Sequence, residues 1–157
     1  MTLWLLHCGM RLSELVSIDL SNVREEEQSV LVFGKGRKER KLYLNDRCME
    51  AYHAYLEQRG NLTGTVEKAL FVSHSGTRIT GRRVEQIIEA ALDDAGLGGR
   101  GYSPHKLRHT AATNIYRAGG DVLGLMQVLG HENLATTQIY THISDDSVKE
   151  LMGKNKY

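Results

Sequence analysis

The stretch from Ser103 to Tyr140 constrains the fold and the chemistry of this chain more than any other segment. Ser103 is a good N-cap and Pro104 suits the first position of a helix, so a helix is predicted to begin here. His105 and Arg108 then lie three residues apart on one helical face, near a helix start that favours an anion. An isolated His-x-x-Arg pair is more often the polar side of an ordinary amphipathic helix. The rest of the chain has to decide between these two interpretations.

Composition limits the class of protein. With 157 residues and 41% hydrophobic content, the chain suits one domain with a buried core. The sequence has no apolar run of membrane-spanning length and no secretory leader, which predicts a cytoplasmic protein without a membrane segment. Cys8 and Cys48 stand in unrelated contexts and are expected to be reduced, buried thiols, with neither a disulfide framework nor a zinc pattern.

The distribution of charge is more informative than its sum. A net charge of +1 does not by itself indicate a nucleic-acid partner. Basic residues nevertheless gather at 35–41, 78–83 and 100–109, whereas acidic residues gather at 25–27, 85–94 and 145–146. The folded chain is therefore expected to present one basic face and one acidic face.

Periodicity and turn residues predict an α+β domain that is mainly helical, with a small antiparallel sheet at one side. The β-rich runs 29–33 and 41–44 flank a cationic, glycine-containing turn, which is typical of a β-hairpin. A further short strand is predicted at 70–72. Asn45 and Thr80 are expected to cap helices. Helices are predicted at 1–8, 11–16, 46–57, 81–94, 104–117, 121–129 and 134–142, with a last amphipathic segment around 148–152.

Two basic residues outside the Ser103 stretch stand where a cation can be aimed. Arg11 comes two residues after Gly9 at the start of a helix, and local evidence alone favours a surface or capping arginine. Lys35 lies between two glycines at the hairpin tip, so it is either solvated or able to reach a DNA groove or an active site.

Six residues form an ordered set along the chain: Arg11, Lys35, His105, Arg108, His131 and Tyr140. They stand in the contexts Gly-x-Arg-x-x-Glu-Leu, Gly-Lys-Gly, Pro-His-x-Leu-Arg-His-Thr, Leu-Gly-His and Thr-Thr-x-x-Tyr. Each motif alone is weak, but the complete set, with nine residues from His131 to Tyr140, is specific. It closely resembles the tyrosine recombinase family, also called the phage integrase family, and within it the Xer-like and integrative-element branch.

The resemblance implies a catalytic domain that cleaves and rejoins DNA strands without a metal ion, a nucleotide or any other cofactor. Tyr140 would attack the scissile phosphate and form a 3′-phosphotyrosine with a free 5′-hydroxyl. Arg11 and Arg108 would clamp the nonbridging oxygens, a task that suits planar guanidinium groups with several donors.

The three remaining residues of the set would move protons and orient the phosphate. Lys35 would protonate the leaving 5′-oxygen, and His105 would exchange a proton with Tyr140. His131 would hydrogen-bond the phosphate. His105 and His109 have a spacing that zinc sites use, but the Lys-Leu-Arg between them lacks the glutamate of a metalloprotease helix, so no metal site is predicted.

The resemblance also implies double-stranded DNA as the partner, bound by a cyclic tetramer of identical or mixed subunits that the segment after Tyr140 holds together. Family members usually carry an N-terminal clamp domain, so residues 1–157 are expected to form a catalytic domain that begins inside its first helix and lacks that clamp. The expected location is the cytoplasm, at the nucleoid. Further basic side chains are candidates for DNA contact: Arg37, Lys38, Arg40, Arg82, Arg83 and Lys106.

Two alternatives belong to other classes. A type IB topoisomerase shares the tyrosine chemistry but does not require a defined sequence, and the Xer-like motifs and the small size argue against it. In the second alternative the chain is a DNA-binding module, and the helices between Thr110 and Tyr140 form a helix-turn-helix. That hypothesis leaves the six catalytic-type residues unexplained and predicts that Tyr140→Phe keeps every activity.

Overall fold

The computed structural model describes residues 1–34, 36, 38–60, 67–117, 124 and 129, and at 116 and 117 it describes the backbone alone. Within these residues, helices dominate and the strands form one small antiparallel sheet, which confirms the predicted fold class. The helices are α1 (Thr2–Cys8), α2 (Leu12–Ser17), α3 (Asp46–Gly60), α4 (Gly81–Asp94) and α5 (Pro104–Arg117), and a 3-10 turn spans Leu20–Asn22. The strands are β1 (Val23–Arg24), β2 (Ser29–Phe33) and β3 (Glu39–Tyr43). The helices predicted at 121–129 and 134–142 and the segment at 148–152 lie outside the described residues.

The starts of the three longest described helices follow their capping residues, as the sequence predicts. In each case a side-chain oxygen accepts a hydrogen bond from a backbone N–H of the first turn, which would otherwise have no intrahelical partner. The accepting pairs are Asn45 with Cys48 at 3.0 Å, Thr80 with Arg83 at 3.3 Å, and Ser103 with Lys106 at 3.3 Å.

The hairpin places an arginine on the buried face of the sheet. In the register of β2 and β3, Val30 pairs with Leu42 and Val32 pairs with Arg40. The side chains of one strand alternate between the two faces, so Arg40 shares its face with Leu42. Val30, Val32 and Leu42 are at most 1% exposed. The register also starts β3 at Glu39 rather than at the predicted residue 41.

The segment at 70–72 is predicted to be a strand, but in the structure it lies between two isolated bridges. Asp19 and Ala69 form one isolated bridge, and Val72 and Arg78 form another. Each pairing stops after a single bridge, so the segment is buried but forms no continuous ladder of strand hydrogen bonds. An apolar run indicates burial, but the length of its pairing depends on distant segments.

Trp4 lies at the centre of the apolar core and fixes α1 against its neighbours. Its ring stacks with Tyr52 at 6.1 Å between centroids and meets Phe71 edge-on at 5.7 Å. Its Nε1 donates to the backbone oxygen of Cys48 at 3.1 Å. Cys8 and Cys48 are both free and buried, as predicted. Because α1 also packs on α5, the turn that follows α1 lies beside α5.

None of the helices in the described part of the chain combines the length and the apolar character that crossing a membrane requires.

Candidate active site

Arg108 on α5 is a buried cation held by backbone carbonyls. Only 8% of the residue is exposed. Its Nη1 donates to the oxygen of Gly9 at 2.6 Å and its Nη2 donates to the oxygen of Leu129 at 2.5 Å. These two contacts use two of the five N–H donors of a guanidinium, and both acceptors are neutral. Neutral acceptors do not cancel the charge of Arg108, and within the described part of the chain its other donors are left for an oxygen-rich ligand.

Gly9 supplies one of those carbonyls through a backbone conformation that favours glycine. It ends α1 with φ of 61°, in the left-handed region. A Cβ atom here would lie 3.2 Å from Cδ2 of Leu129 and 3.5 Å from Cβ of Ala111. The turn can thus approach α5 closely only because the residue has no side chain.

Glu14 joins the start of α2 to the site. The residue is 2% exposed. Its Oε2 accepts from the backbone N–H of Arg11 at 2.7 Å, and its Oε1 accepts from Nη1 of Arg11 at 3.0 Å. The first contact is the return half of a capping box, in which the third helical residue satisfies the N-cap N–H. Arg11 is therefore both the N-cap residue and a partly exposed cation, with a side chain 39% exposed.

Arg40 of β3 approaches the same carboxylate from the other side. Its Nη1 donates to Oε1 of Glu14 at 2.6 Å and its Nη2 donates to Oε2 at 2.7 Å, a bidentate pair. Burial raises the pKa of Glu14, but the hydrogen bonds from Arg40 and Arg11 outweigh burial, so the pKa is lowered overall. Glu14 is consequently ionised at neutral pH.

Together these side chains form a site with an excess of positive charge, which we call the arginine cluster: Arg11, Glu14, Arg40 and Arg108. Burial, with the charges of Arg11 and Arg40, lowers the pKa of Arg108 to about 10, while Glu14 opposes that lowering. Arg108 therefore remains charged at neutral pH, and the cluster holds three guanidinium groups against one carboxylate. Such a site favours an anionic ligand with several oxygens, such as a phosphodiester.

Gly34, the residue that follows β2, lies next to this cluster. A Cβ on Gly34 would be 3.8 Å from Nη1 of Arg40 and 3.9 Å from Oε1 of Glu14. Lys35, the next residue in the sequence, lies outside the described residues, as do His131 and Tyr140. Of the six residues predicted to be catalytic, the structure describes Arg11, His105 and Arg108.

His105 is placed differently from Arg108. It is exposed in the first turn of α5, and its ring meets that of His109 edge-on at 4.8 Å between centroids. The structure therefore brings Arg11 and Arg108 into one cluster and leaves His105 at the surface, open to a ligand. Among the described residues, no group of three or more histidines, cysteines and acids is placed to hold a metal ion.

The residues proposed for DNA contact divide into two kinds. Lys38, Arg82, Arg83 and Lys106 are exposed. Arg40 instead directs its guanidinium to Glu14, with a side chain 13% exposed. Arg37 lies outside the described residues.

The sequence alone predicts no role for Glu14 and predicts that Arg40 contacts DNA. Two signals in the sequence point to their placement. The alternation of β3 puts Arg40 on the face of the buried Leu42. Glu14 stands three residues after Arg11, the spacing of a capping box. Neither signal alone connects the two residues.

Comparisons with known proteins show the family of this chain. The Phage integrase family matches residues 1–147. Tyrosine recombinase XerC of Caldanaerobacter subterraneus subsp. tengcongensis is 45% identical over 151 residues, which cover 96% of this chain and 42% of that protein. Tyrosine recombinase XerC of Vibrio cholerae is 42% identical over 135 residues, which cover 86% of this chain and 43% of that protein.

Solved structures give the same result. The crystal structure of XerA recombinase matches with a TM-score of 0.77 at 35% identity, over 98% of this chain and 56% of that one. The XerH site-specific recombinase bound to difH substrate, a pre-cleavage complex, matches with a TM-score of 0.74 at 28% identity, over 95% of this chain and 44% of that one. The chain thus spans about half the length of these relatives. With a family match over nearly all of its length, the chain belongs to the phage integrase family, and its XerC relatives named here are tyrosine recombinases.

Proposed function

We propose that this chain is the catalytic domain of a site-specific DNA recombinase, which cleaves and rejoins strands through a covalent 3′-phosphotyrosine. The observation that carries the proposal is the arginine cluster, in which the Arg11 side chain donates to the buried carboxylate of Glu14 at 3.0 Å. Arg108, 97 positions after Arg11 in the sequence, donates to the backbone oxygen of Gly9, two residues before Arg11. A surface arginine needs no such arrangement, whereas a phosphate clamp does.

The clamp has a defined chemical task. In strand cleavage, the phenol oxygen of Tyr140 forms a bond to phosphorus and the bond from phosphorus to the 5′-oxygen breaks. Negative charge grows on the nonbridging oxygens in the transition state. Arg11 and Arg108 neutralise that charge, and preorganised donors of this kind are each worth about 100- to 1,000-fold in rate.

Proton transfers complete the step. His105 accepts the proton of the Tyr140 phenol, which at neutral pH is otherwise almost fully protonated. Lys35 donates a proton to the departing 5′-oxygen, and the position of Gly34 beside the arginine cluster supports this role. His131 hydrogen-bonds the phosphate. The phosphotyrosine conserves the bond energy, so a 5′-hydroxyl of a second strand can reverse the step.

The proposed partners follow from the phosphate chemistry and from the family resemblance. The substrate is double-stranded DNA, gripped through phosphate contacts by exposed cations such as Lys38, Arg82 and Lys106. Four subunits, identical or mixed, assemble on the DNA through the segment after Tyr140, and a separate clamp domain closes around the duplex. The protein works in the cytoplasm, at the nucleoid.

Nicked suicide duplexes test the proposal. They are drawn from the DNA that flanks the gene, and the two sides of the nick are labelled separately. We expect an SDS-resistant adduct that retains the 3′ phosphate and disappears in Tyr140→Phe. Tyr102→Phe is the matched control, because Tyr102 is an exposed tyrosine of the described chain and should leave the adduct unchanged.

Two results contradict the proposal and identify the alternatives. Salt-sensitive binding with no adduct, unaltered by Tyr140→Phe, indicates a DNA-binding module. Relaxation of any supercoiled plasmid, irrespective of sequence, indicates a topoisomerase.

A further inference from the structure

We propose that Arg40 is a positioning residue for strand cleavage, which acts through Glu14 to hold Arg11 in place and to leave the clamp its full positive charge. The inference rests on the proposed function and assigns a role to a residue outside the predicted catalytic set.

The position of Arg40 is unusual for a residue that serves stability alone. It lies on the face of the sheet where its neighbours Val30, Val32 and Leu42 are buried. Burying a guanidinium and a carboxylate requires both to lose water, and a buried ion pair is often no more stable than apolar residues of similar size. An apolar residue would complete this face at least as well. The ion pair therefore points to a task other than packing.

The geometry shows what that task is. Oε1 of Glu14 accepts from Nη1 of Arg40 at 2.6 Å and from Nη1 of Arg11 at 3.0 Å. Oε2 accepts from Nη2 of Arg40 and from the backbone N–H of Arg11, both at 2.7 Å. Each carboxylate oxygen is thus shared between the two arginines. The bidentate pair with Arg40 holds the carboxylate plane in one orientation. In that orientation the carboxylate keeps both of its hydrogen bonds to Arg11, and these hold Arg11 in place.

Charge gives Arg40 a second effect. Glu14 is ionised and lies close enough to Arg108 to affect its pKa. Without Arg40, this negative charge would face the phosphate with less compensation and would draw Arg11 toward itself. With Arg40 present, its positive charge on β3 compensates the negative charge of Glu14, and Arg11 and Arg108 can bind the substrate phosphate.

The pair between Arg40 and Glu14 also links the hairpin to the start of α2. Arg40 belongs to β3, and Gly34 at the other end of the same turn lies beside Arg40 and Glu14. The pair between Arg40 and Glu14 therefore joins the hairpin that carries Lys35 to the start of α2 that carries Arg11.

The test measures the rate of adduct formation on the suicide duplex with the full chain. We expect Arg40→Met to slow the reaction about 100-fold, as a small misplacement of a catalytic group does. Lys41→Met is the matched control, because it removes the same charge from the neighbouring position of β3, on the opposite face, where Lys41 pairs with Glu27 at 3.3 Å. It should react at nearly the wild-type rate.

A double-variant cycle separates positioning from general loss of structure. If Arg40 acts through Arg11, the variant with both Arg11→Met and Arg40→Met is no slower than Arg11→Met alone. Effects that multiply, or an Arg40→Met variant as fast as wild type, overturn the inference. Arg40→Lys keeps the charge but loses the fork, so it should fall between wild type and Arg40→Met, and it serves in place of Arg40→Met if the latter does not fold.

A readout without DNA separates this inference from the proposed function. The backbone N–H of Arg11 donates to Glu14, so its hydrogen exchange by NMR reports whether the carboxylate is held. We expect faster exchange in Arg40→Met and unchanged exchange in Lys41→Met. If wild type forms no adduct, the proposed function fails, and unchanged exchange in Arg40→Met overturns the positioning role independently.

Discussion

Replacement of Glu14 by glutamine should destabilise the protein more than the same replacement of an exposed glutamate. The carboxylate is 2% exposed and accepts hydrogen bonds from Arg40 at 2.6 and 2.7 Å and from Arg11 at 2.7 and 3.0 Å. Removing one partner of a buried ion pair costs about 3–5 kcal/mol. We take the lower end, because the Arg11 side chain is 39% exposed and its share is screened by solvent.

The assay is thermal unfolding followed by calorimetry. For a chain of this size, about 3 kcal/mol lowers the midpoint by about 10 °C. Glu85→Gln on the exposed surface of α4 is the control and should change the free energy of unfolding by less than about 0.5 kcal/mol.

The pH dependence of the free energy of unfolding tests the same prediction independently. The hydrogen bonds from Arg40 and Arg11 hold the folded pKa of Glu14 below its ordinary value of 4.5. The unfolded chain therefore binds this proton at higher pH than the folded one, and the stabilisation is complete above pH 4.5 and lost as the pH falls through the folded pKa. The gap between wild type and Glu14→Gln should narrow over that range. Equal midpoints at neutral pH, or a gap that widens on acidification, would refute the reasoning.

Three further perturbations test other parts of the structure. Gly9→Ala should cost about 1–2 kcal/mol in denaturant unfolding, since it places a side chain at a φ of 61° and against Leu129. Arg108→Lys should cost about 1–3 kcal/mol in the same assay, because the single nitrogen of an ammonium does not reproduce the two-nitrogen fork that reaches both buried carbonyls. Burial, with the carboxylate of Glu25, raises the pKa of Tyr52 to about 12, so an ultraviolet titration should find this phenol ionising near pH 12. The stability linked to its neutral form should be intact below pH 10 and lost as the pH rises toward 12. In Glu25→Gln, the Tyr52 transition should move to lower pH.

Local features of this fold could be predicted from the sequence, because their causes are local. Asn45, Thr80 and Ser103 cap helices where expected, since each cap bonds a backbone group within three residues. The bounds of β2 were also predicted. The segment at 70–72 was not, because its short pairing depends on two segments elsewhere in the chain.

In the candidate site, too, some features could be predicted from the sequence and others could not. The ordered motifs identified the family and named Arg11 and Arg108, although Arg11 judged by its neighbours alone was a surface or capping residue. The contact between Arg40 and Glu14 spans 26 positions, and that between Arg108 and Gly9 spans 99. Such pairs carry no periodic signal. They become visible only when the sheet register and the packing of α1 on α5 are known.

The central claim is that Tyr140 is the nucleophile that the arginine cluster serves, and mass spectrometry of the adduct tests it most directly. Trypsin releases residues 118–149 as one peptide, in which Tyr140 is the sole tyrosine. After nuclease digestion of the suicide complex, we expect this peptide to carry a 3′-linked nucleotide on Tyr140 in wild type, and the modified peptide to be absent in Arg108→Lys under the same reaction time. A nucleotide on any other residue, or a 5′-linked one, would contradict the account.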